Sequence, residues 1–222
     1  MKSTRSPFLF FKSSESAILL ILAISSVLIG PTIVLNIWGG IGFDELTRDP
    51  ISVLGGSIYT GLLSQAGILI WAAVSSICIF GSYSLPRSAR NRQTKNFFFA
   101  SGLLTFVLGL DDAFLLHEKS STYFGFSEKI IYVFYILCIG IYLYRFYNLI
   151  ATTEYILLVM AFTCFAISIM LDIIEPSGIN PYLFEDGAKL TGIISFLVYY
   201  FRFGITSIHQ IGSKNMNTKI SA

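Results

Sequence analysis

Six separated runs of about twenty apolar residues decide what this chain can become. They lie at about 17–38, 57–81, 96–116, 129–150, 154–174 and 183–204. Each is long enough to cross the roughly 30 Å hydrocarbon core of a bilayer as a helix rising about 1.5 Å per residue. In lipid every backbone N–H and C=O needs an internal partner, so a spanning segment is either a helix or a strand of a closed barrel. The alternation that marks barrel strands is missing from all six runs. Composition agrees: 54% of the 222 residues are hydrophobic and 13% are charged, where a soluble domain carries about 25% charged residues. The expected fold class is therefore all-α, a polytopic membrane bundle of about six transmembrane helices. The connecting loops are too short to hold a separate soluble domain. Residues 1–16 read as a cytoplasmic N-terminal segment and 17–204 as one six-helix domain. Residues 205–222 read as a polar, frayed cytoplasmic tail that includes a solvated His209.

The first run also has the look of a secretory signal. Lys2, Arg5 and Lys12 precede AILLILAISSVLIG, as an n-region precedes an h-region. The apolar stretch continues through Pro31 to Trp38 with no clear cleavage site, so the expectation is a retained span.

Charge placement gives an orientation. With six spans both termini share a side. That side holds Lys2, Arg5, Lys12, Arg87, Arg90, Arg92, Lys95, Arg145, Arg202, Lys214 and Lys219, which is 11 of the 15 basic residues. Arg48, Lys119, Lys129 and Lys189 fall opposite. The positive-inside rule then puts both termini in the cytoplasm. The expected location is a bacterial inner membrane. Of the 13 acids, only Glu15 and Glu154 fall on the basic side. Acids contribute little to topology, so their segregation needs another cause. Aromatic residues such as Trp38 and Tyr182 at one boundary, and Tyr144 and Tyr199 at the other, suit the membrane interface. A net charge of +2 gives no sign of nucleic-acid binding, and attraction to anionic lipid accounts for the basic loops. Cys78, Cys138 and Cys164 lie within spans without a CxxC and read as small core residues.

The segregated acids gather at three span ends. The third span closes on FVLGLDDAFLLHEKSS. Asp111 and Asp112 lie more than a turn before His117, below the surface. On a continuous helix Asp111 and Glu118, seven apart, share a face, while Asp112 points about 100° away. That pattern makes Asp111 the site residue and Asp112 a helix-contact residue. The fifth span closes on ISIMLDIIEPSGINP. Asp172 and Glu175 are neighbours on one face there, and Pro176 stops the helix. Carboxylates are disfavoured at a helix C-terminus, so two of them call for a cation. The sixth span opens on NPYLFEDGAKLTGIISF, with Asn180 as cap and Pro181 in the first turn. Lys189 is four residues from Glu185 and three from Asp186, so either can pair with it. Ionisable groups inside a span cost about 2.5–3.5 kcal/mol each near its middle, so their retention points to use. The bland alternatives are hydrated helix ends for His117 and Glu118, an exit cap for Asp172 and Glu175, and a simple intrahelical ion pair for Lys189. Gly187 and Gly192, with Ser57, Gly61, Ser64 and Gly67 of the second span, leave room for close helix neighbours. Gln65 could supply a polar group lower in the same span.

The segments LDDAFLLHE and EDGAKLTGIISF resemble those of bacterial multi-span membrane proteins that carry a DD-x4-HE signature and a later ED-x2-K signature. The resemblance covers about a third of the chain. It implies a common helical architecture with Asp111, Asp112, His117, Glu118, Glu185 and Lys189 as the shared polar set, and it carries no established activity. The ceramidase-like membrane hydrolases are a poor match, because a single candidate histidine cannot supply three zinc ligands.

Three functional readings follow. One is a metal-dependent membrane enzyme acting on a lipid or other apolar substrate. In it Asp111, His117, Glu118 and Asp172 would hold a divalent ion, and Asp111, Glu175, Glu185 and Lys189 would carry the chemistry. Oxygen-rich ligands with one imidazole suit Mg²⁺, Mn²⁺, Ca²⁺ or iron better than zinc. The second is a proton- or cation-coupled transporter or channel with Glu185–Lys189 as a breakable pair. The third is a set of structural ion pairs. HExxH, paired ExxH and GxSxG motifs are absent. A homo-oligomer is open under all three readings.

Overall fold

The computed structural model describes residues 14–86, 88, 91–125, 127–174 and 181–220. These are all-helical, with nine helices and no strand among them. Six helices are long and apolar enough to cross a membrane, which suggests an integral membrane protein. The chain divides into two compact units, residues 1–62 and 63–222.

The first unit holds α1 (Ser14–Gly39), α2 (Phe43–Thr47) and α3 (Pro50–Val53). Helix α1 tolerates Pro31 in its interior. It ends where Gly40 adopts φ +67°, the left-handed conformation that closes helices at low cost. The Asn36 amide reinforces this end by donating to the Ile41 carbonyl at 2.8 Å. Asp49 caps α3 by accepting from the Ser52 N–H at 3.1 Å, with Pro50 in its first turn.

The second unit holds α4 (Leu62–Ser84), α5 (Arg92–Phe114), α6 (Leu116–Phe124), α7 (Glu128–Ile150), α8 (Tyr155–Ile174) and α9 (Pro181–Ile220). The second span begins later than its hydropathy predicts, because Ser57–Thr60 form a turn and Gly61 takes φ +64° before α4 starts. Pro181 opens α9 as expected. That helix runs on to Ile220, so the expected frayed tail is helical. The segment after Tyr200 contains no proline to stop it.

Small residues set the close approaches. The Ser75 hydroxyl of α4 donates to the Gly102 carbonyl of α5 at 2.9 Å. A Cβ on Gly102 would meet Ile79 at 2.8 Å, and one on Gly109 would meet Trp71 at 2.9 Å. Between α8 and α9, Gly192 lies against Phe165 and the Ala161 carbonyl, whereas Gly187 faces open space. Of the two glycines expected to admit a neighbour, only Gly192 does so.

The end of the unit remote from the acids is closed by aromatic rings. Phe97, Phe98, Tyr142, Phe146, Tyr199, Tyr200 and Phe203 pack together. Their hydroxyls are satisfied internally. Tyr142 meets Ser101 at 2.8 Å and Tyr200 at 2.9 Å, and Tyr199 meets Thr153 at 2.8 Å. A hydroxyl without a partner in an apolar medium is costly, which is why these come in linked sets. Arg202 closes the α7–α8 connection with a two-pronged contact to Glu154, 2.6 Å in each arm. The Arg202 guanidinium holds the Glu154 carboxyl below the usual carboxylate range. Large apolar side chains such as Phe80, Ile141, Ile156 and Phe201 face outward, the arrangement expected of helices solvated by lipid tails.

Candidate functional site

The site is built around a break in the third span. Leu115 adopts φ +51°, the one non-glycine residue with positive φ among those described. Its N–H returns to the Asp111 carbonyl, ending α5, and α6 starts at the next residue. A left-handed leucine costs about 1–2 kcal/mol, and such strain persists only where surrounding contacts over-determine it. Here the contacts are visible. The break turns His117 back onto Asp111. The His117 backbone N–H donates to Asp111 Oδ1 at 2.9 Å, and its ring Nδ1 meets Oδ2 at 2.6 Å. Both carboxylate oxygens of a buried aspartate are thereby engaged.

The break overturns one expectation. Asp111 and Glu118 do not share a helical face, because no continuous helix joins them. The Glu118 side chain is 50% exposed and reaches no closer than 4.0 Å to His117 Nε2.

Asp112 points elsewhere, as its 100° offset requires. Its Oδ1 takes the Lys189 ammonium of α9 at 3.0 Å. Lys189 also meets Asp186 at 3.3 Å. The alternative intrahelical partner, Glu185, makes no ion pair among the described residues. Asp112 Oδ2 is buried and takes no hydrogen bond among the described residues. Gly67 of α4 approaches this oxygen, to within 3.6 Å of where a Cβ would stand.

Asp172, at the end of α8, accepts a hydrogen bond from the Tyr132 hydroxyl of α7 at 2.9 Å. The Tyr132 ring lies 5.5 Å from that of His117. Glu185 lies within electrostatic reach of Asp172, Asp186, Lys189 and Glu118. Glu175, the remaining candidate, lies outside the described residues.

These groups line one end of a cavity of about 610 Å³. Asp111, Asp112, His117, Tyr132, Asp172, Glu185 and Lys189 all contribute, and Tyr135 lies close to Asp111. Apart from Ser168, the rest of the wall is apolar. It comes from Ile136, Ile139, Gly140 and Leu143 of α7, from Phe162, Phe165 and Ile169 of α8, and from Trp71 of α4. Tyr132 and Leu143 are eleven residues apart on one helix, so the cavity runs about 16 Å along it. That is about half of a 30 Å hydrocarbon core. Three span ends therefore converge as expected, with Glu118 set apart from the cavity lining. Asp111 is occupied by His117 and Asp172 by Tyr132, and no three His, Cys, Asp or Glu groups stand close enough to hold a metal ion among the described residues.

The sequence reading missed the tyrosines and the apolar chamber. A signal for them exists. Tyr132, Tyr135, Ile136, Ile139, Gly140 and Leu143 follow helical spacing along one face of α7. The surrounding run is apolar on every side, so the stripe does not stand out.

No curated protein and no solved structure matches the chain. A family model described as a domain of unknown function, DUF8692, matches residues 17–203, and the chain belongs to that family.

Proposed function

We propose that this membrane protein is an enzyme that draws a lipid-like amphiphile into the α7–α8–α9 cavity and performs acid–base chemistry on its polar end. The observation that carries this reading is the Asp111–His117 pair at the head of an otherwise apolar chamber. A carboxylate on Nδ1 favours the tautomer with its proton there and directs the basic lone pair to Nε2. A histidine oriented in this way is a general base. Tyr132 stands beside it with its single O–H donated to Asp172; turned from Asp172 to a substrate oxygen, that O–H would stabilise a developing negative charge. The apolar walls would hold the chain and fix the head against these groups. By the positive-inside rule the head lies at the exoplasmic side.

The test is reconstitution in vesicles of total membrane lipid, with mass spectrometry of the lipids before and after incubation. Wild-type protein should convert one lipid class. His117→Asn should abolish conversion, and Asp111→Asn should lower it about 10- to 100-fold, the usual cost of losing a group that orients a histidine. Gly140→Phe should also abolish it, because that glycine lines the cavity and faces open space, so a ring there fills the chamber without a clash. An unchanged lipid profile with folded wild-type protein would refute the enzyme reading.

A second reading, proton- or cation-coupled transport, is favoured by Asp112. Its Oδ2 is buried without a hydrogen-bond partner among the described residues, and its Oδ1 holds Lys189 in an ion pair whose opening would free both charges. Proton-linked flux in the same vesicles, lost in Asp112→Asn and retained in His117→Asn, would support it over the enzyme.

A further inference from the structure

Among the described residues, the charges that face the cavity do not balance. Asp111 is held by the backbone N–H and ring Nδ1 of His117, and one ammonium, Lys189, serves both Asp112 and Asp186. Asp172 receives a neutral tyrosine hydroxyl, and Glu185 makes no ion pair among the described residues. Asp112 is 7% exposed and held by Lys189 through Oδ1, while its Oδ2, closed off from the cavity and lying toward Gly67 of α4, accepts nothing among the described residues; the deficit that faces the cavity is that of Asp172 and Glu185. A buried carboxylate in apolar surroundings requires a compensating donor or cation.

We propose that the missing positive charge is the head of the ligand itself, and that the cavity takes a single-chain amphiphile carrying a protonated amine. This rests on the amphiphile cavity argued above. An ammonium supplies one charge and up to three N–H donors, which suits a ring of under-compensated carboxylates. An anionic head, carboxylate or phosphate, would add like charge to Asp172 and Glu185 and be repelled. A neutral alcohol would leave the deficit as it is. The body of the ligand follows from the wall. About 610 Å³ lies within the 300–1,000 Å³ of ordinary small-molecule pockets, and its length of about 16 Å follows one chain along one leaflet.

Trp71 is a built-in reporter. It lines the apolar part of the cavity, stacked on Phe165 at 5.6 Å. The protein has 2 tryptophans, so Trp38→Phe leaves Trp71 as the sole one. In this background, in neutral maltoside micelles, the probes are dodecyl chains brominated at the tail and ending in an amine, a carboxylate or an alcohol. The amine should quench Trp71 saturably, at concentrations at least tenfold lower than the other two. Glu185→Gln and Asp172→Asn, each alone, should shrink that preference, and Gly140→Phe should abolish quenching by all three. Equal quenching by the three heads would overturn the amine proposal while leaving the amphiphile cavity standing. No quenching by any of them would remove the cavity reading, and the proposal with it. Stoichiometric binding of Mg²⁺, Mn²⁺ or Zn²⁺ that erases the amine preference would also overturn it, by assigning the missing charge to a metal.

Discussion

Lys189→Met removes the ammonium between α5 and α9 and leaves Asp112 uncompensated. In wild type the Lys189 Nζ lies 3.0 Å from Asp112 Oδ1 and 3.3 Å from Asp186 Oδ1. At an effective dielectric of about 20, unit charges at these separations attract by about 5 kcal/mol. Two corrections lower the net loss. The Lys189 side chain is 28% exposed and that of Asp186 is 34% exposed, so water screens the Asp186 arm. Methionine also removes the cost of keeping an ammonium partly out of water. Asp112 has no such relief, since its side chain is 8% exposed and its second oxygen already lacks a partner among the described residues. Breaking a buried pair from one side costs about 3–5 kcal/mol, and the exposure of Lys189 places this case near 3 kcal/mol. At roughly 3 °C per kcal/mol for a chain of this size, the unfolding midpoint should fall by about 10 °C. Adding Asp112→Asn should recover about 2 kcal/mol, because a neutral pair of similar shape needs no counter-charge. Adding Glu185→Gln instead should recover much less. The assay is thermal unfolding in maltoside followed by tryptophan emission. A single mutant within about 1 °C of wild type would show that Lys189 is solvated. A double mutant with Asp112→Asn no better than the single would show that Asp112 is not its partner.

Gly192→Ala should destabilise by about 1–3 kcal/mol, since the new methyl would lie 2.7 Å from the Phe165 ring and 3.0 Å from the Ala161 carbonyl. Gly187→Ala, with open space around it, should be neutral or stabilise by up to about 1 kcal/mol; equal effects in chemical denaturation would refute the packing assigned to α8 and α9. At Leu115, glycine should be tolerated within about 1 kcal/mol, whereas isoleucine, which resists positive φ, should cost about 1–2 kcal/mol and weaken the His117–Asp111 contact. The opposite order of melting temperatures would show that the left-handed turn does not hold. For topology, a lone cysteine at Ser127 should react with an impermeant maleimide from outside intact cells, and one at Ser84 should react only after lysis. The reverse pattern would place the acidic end in the cytoplasm.

The spans were legible because the bilayer imposes a local rule. A run of about twenty apolar residues is sufficient cause for a spanning helix, and five of the observed helices begin within about four residues of the hydropathy estimate. The third span shows where the rule stops. After Asp111 the segment FVLGLDDAFLLHEKSS has no glycine or proline to mark a break at Leu115. The structure breaks it at Leu115, because the gain from seating His117 on Asp111 outweighs the local cost of a left-handed leucine. A preference held by tertiary contacts leaves no mark in the turn chemistry.

The sequence by itself determined that this chain is helical, that six helices can cross a membrane, and that nearly all its acids collect at one end of them. Hydropathy and charge are sums over neighbours in the chain, so they can be read without knowing the fold. Only the tertiary structure decided which acid meets which partner. Lys189 had two eligible carboxylates on its own helix and took Asp186 together with Asp112 of another helix. Asp172 found a tyrosine that had looked like an ordinary aromatic residue. The chamber beneath them is also a tertiary product. Its walls are apolar residues that differ in no chemical respect from those facing lipid. What separates the two sets is the rotation and spacing of α7, α8 and α9, and packing among small and aromatic residues sets these where hydrophobicity, uniform around each helix, cannot.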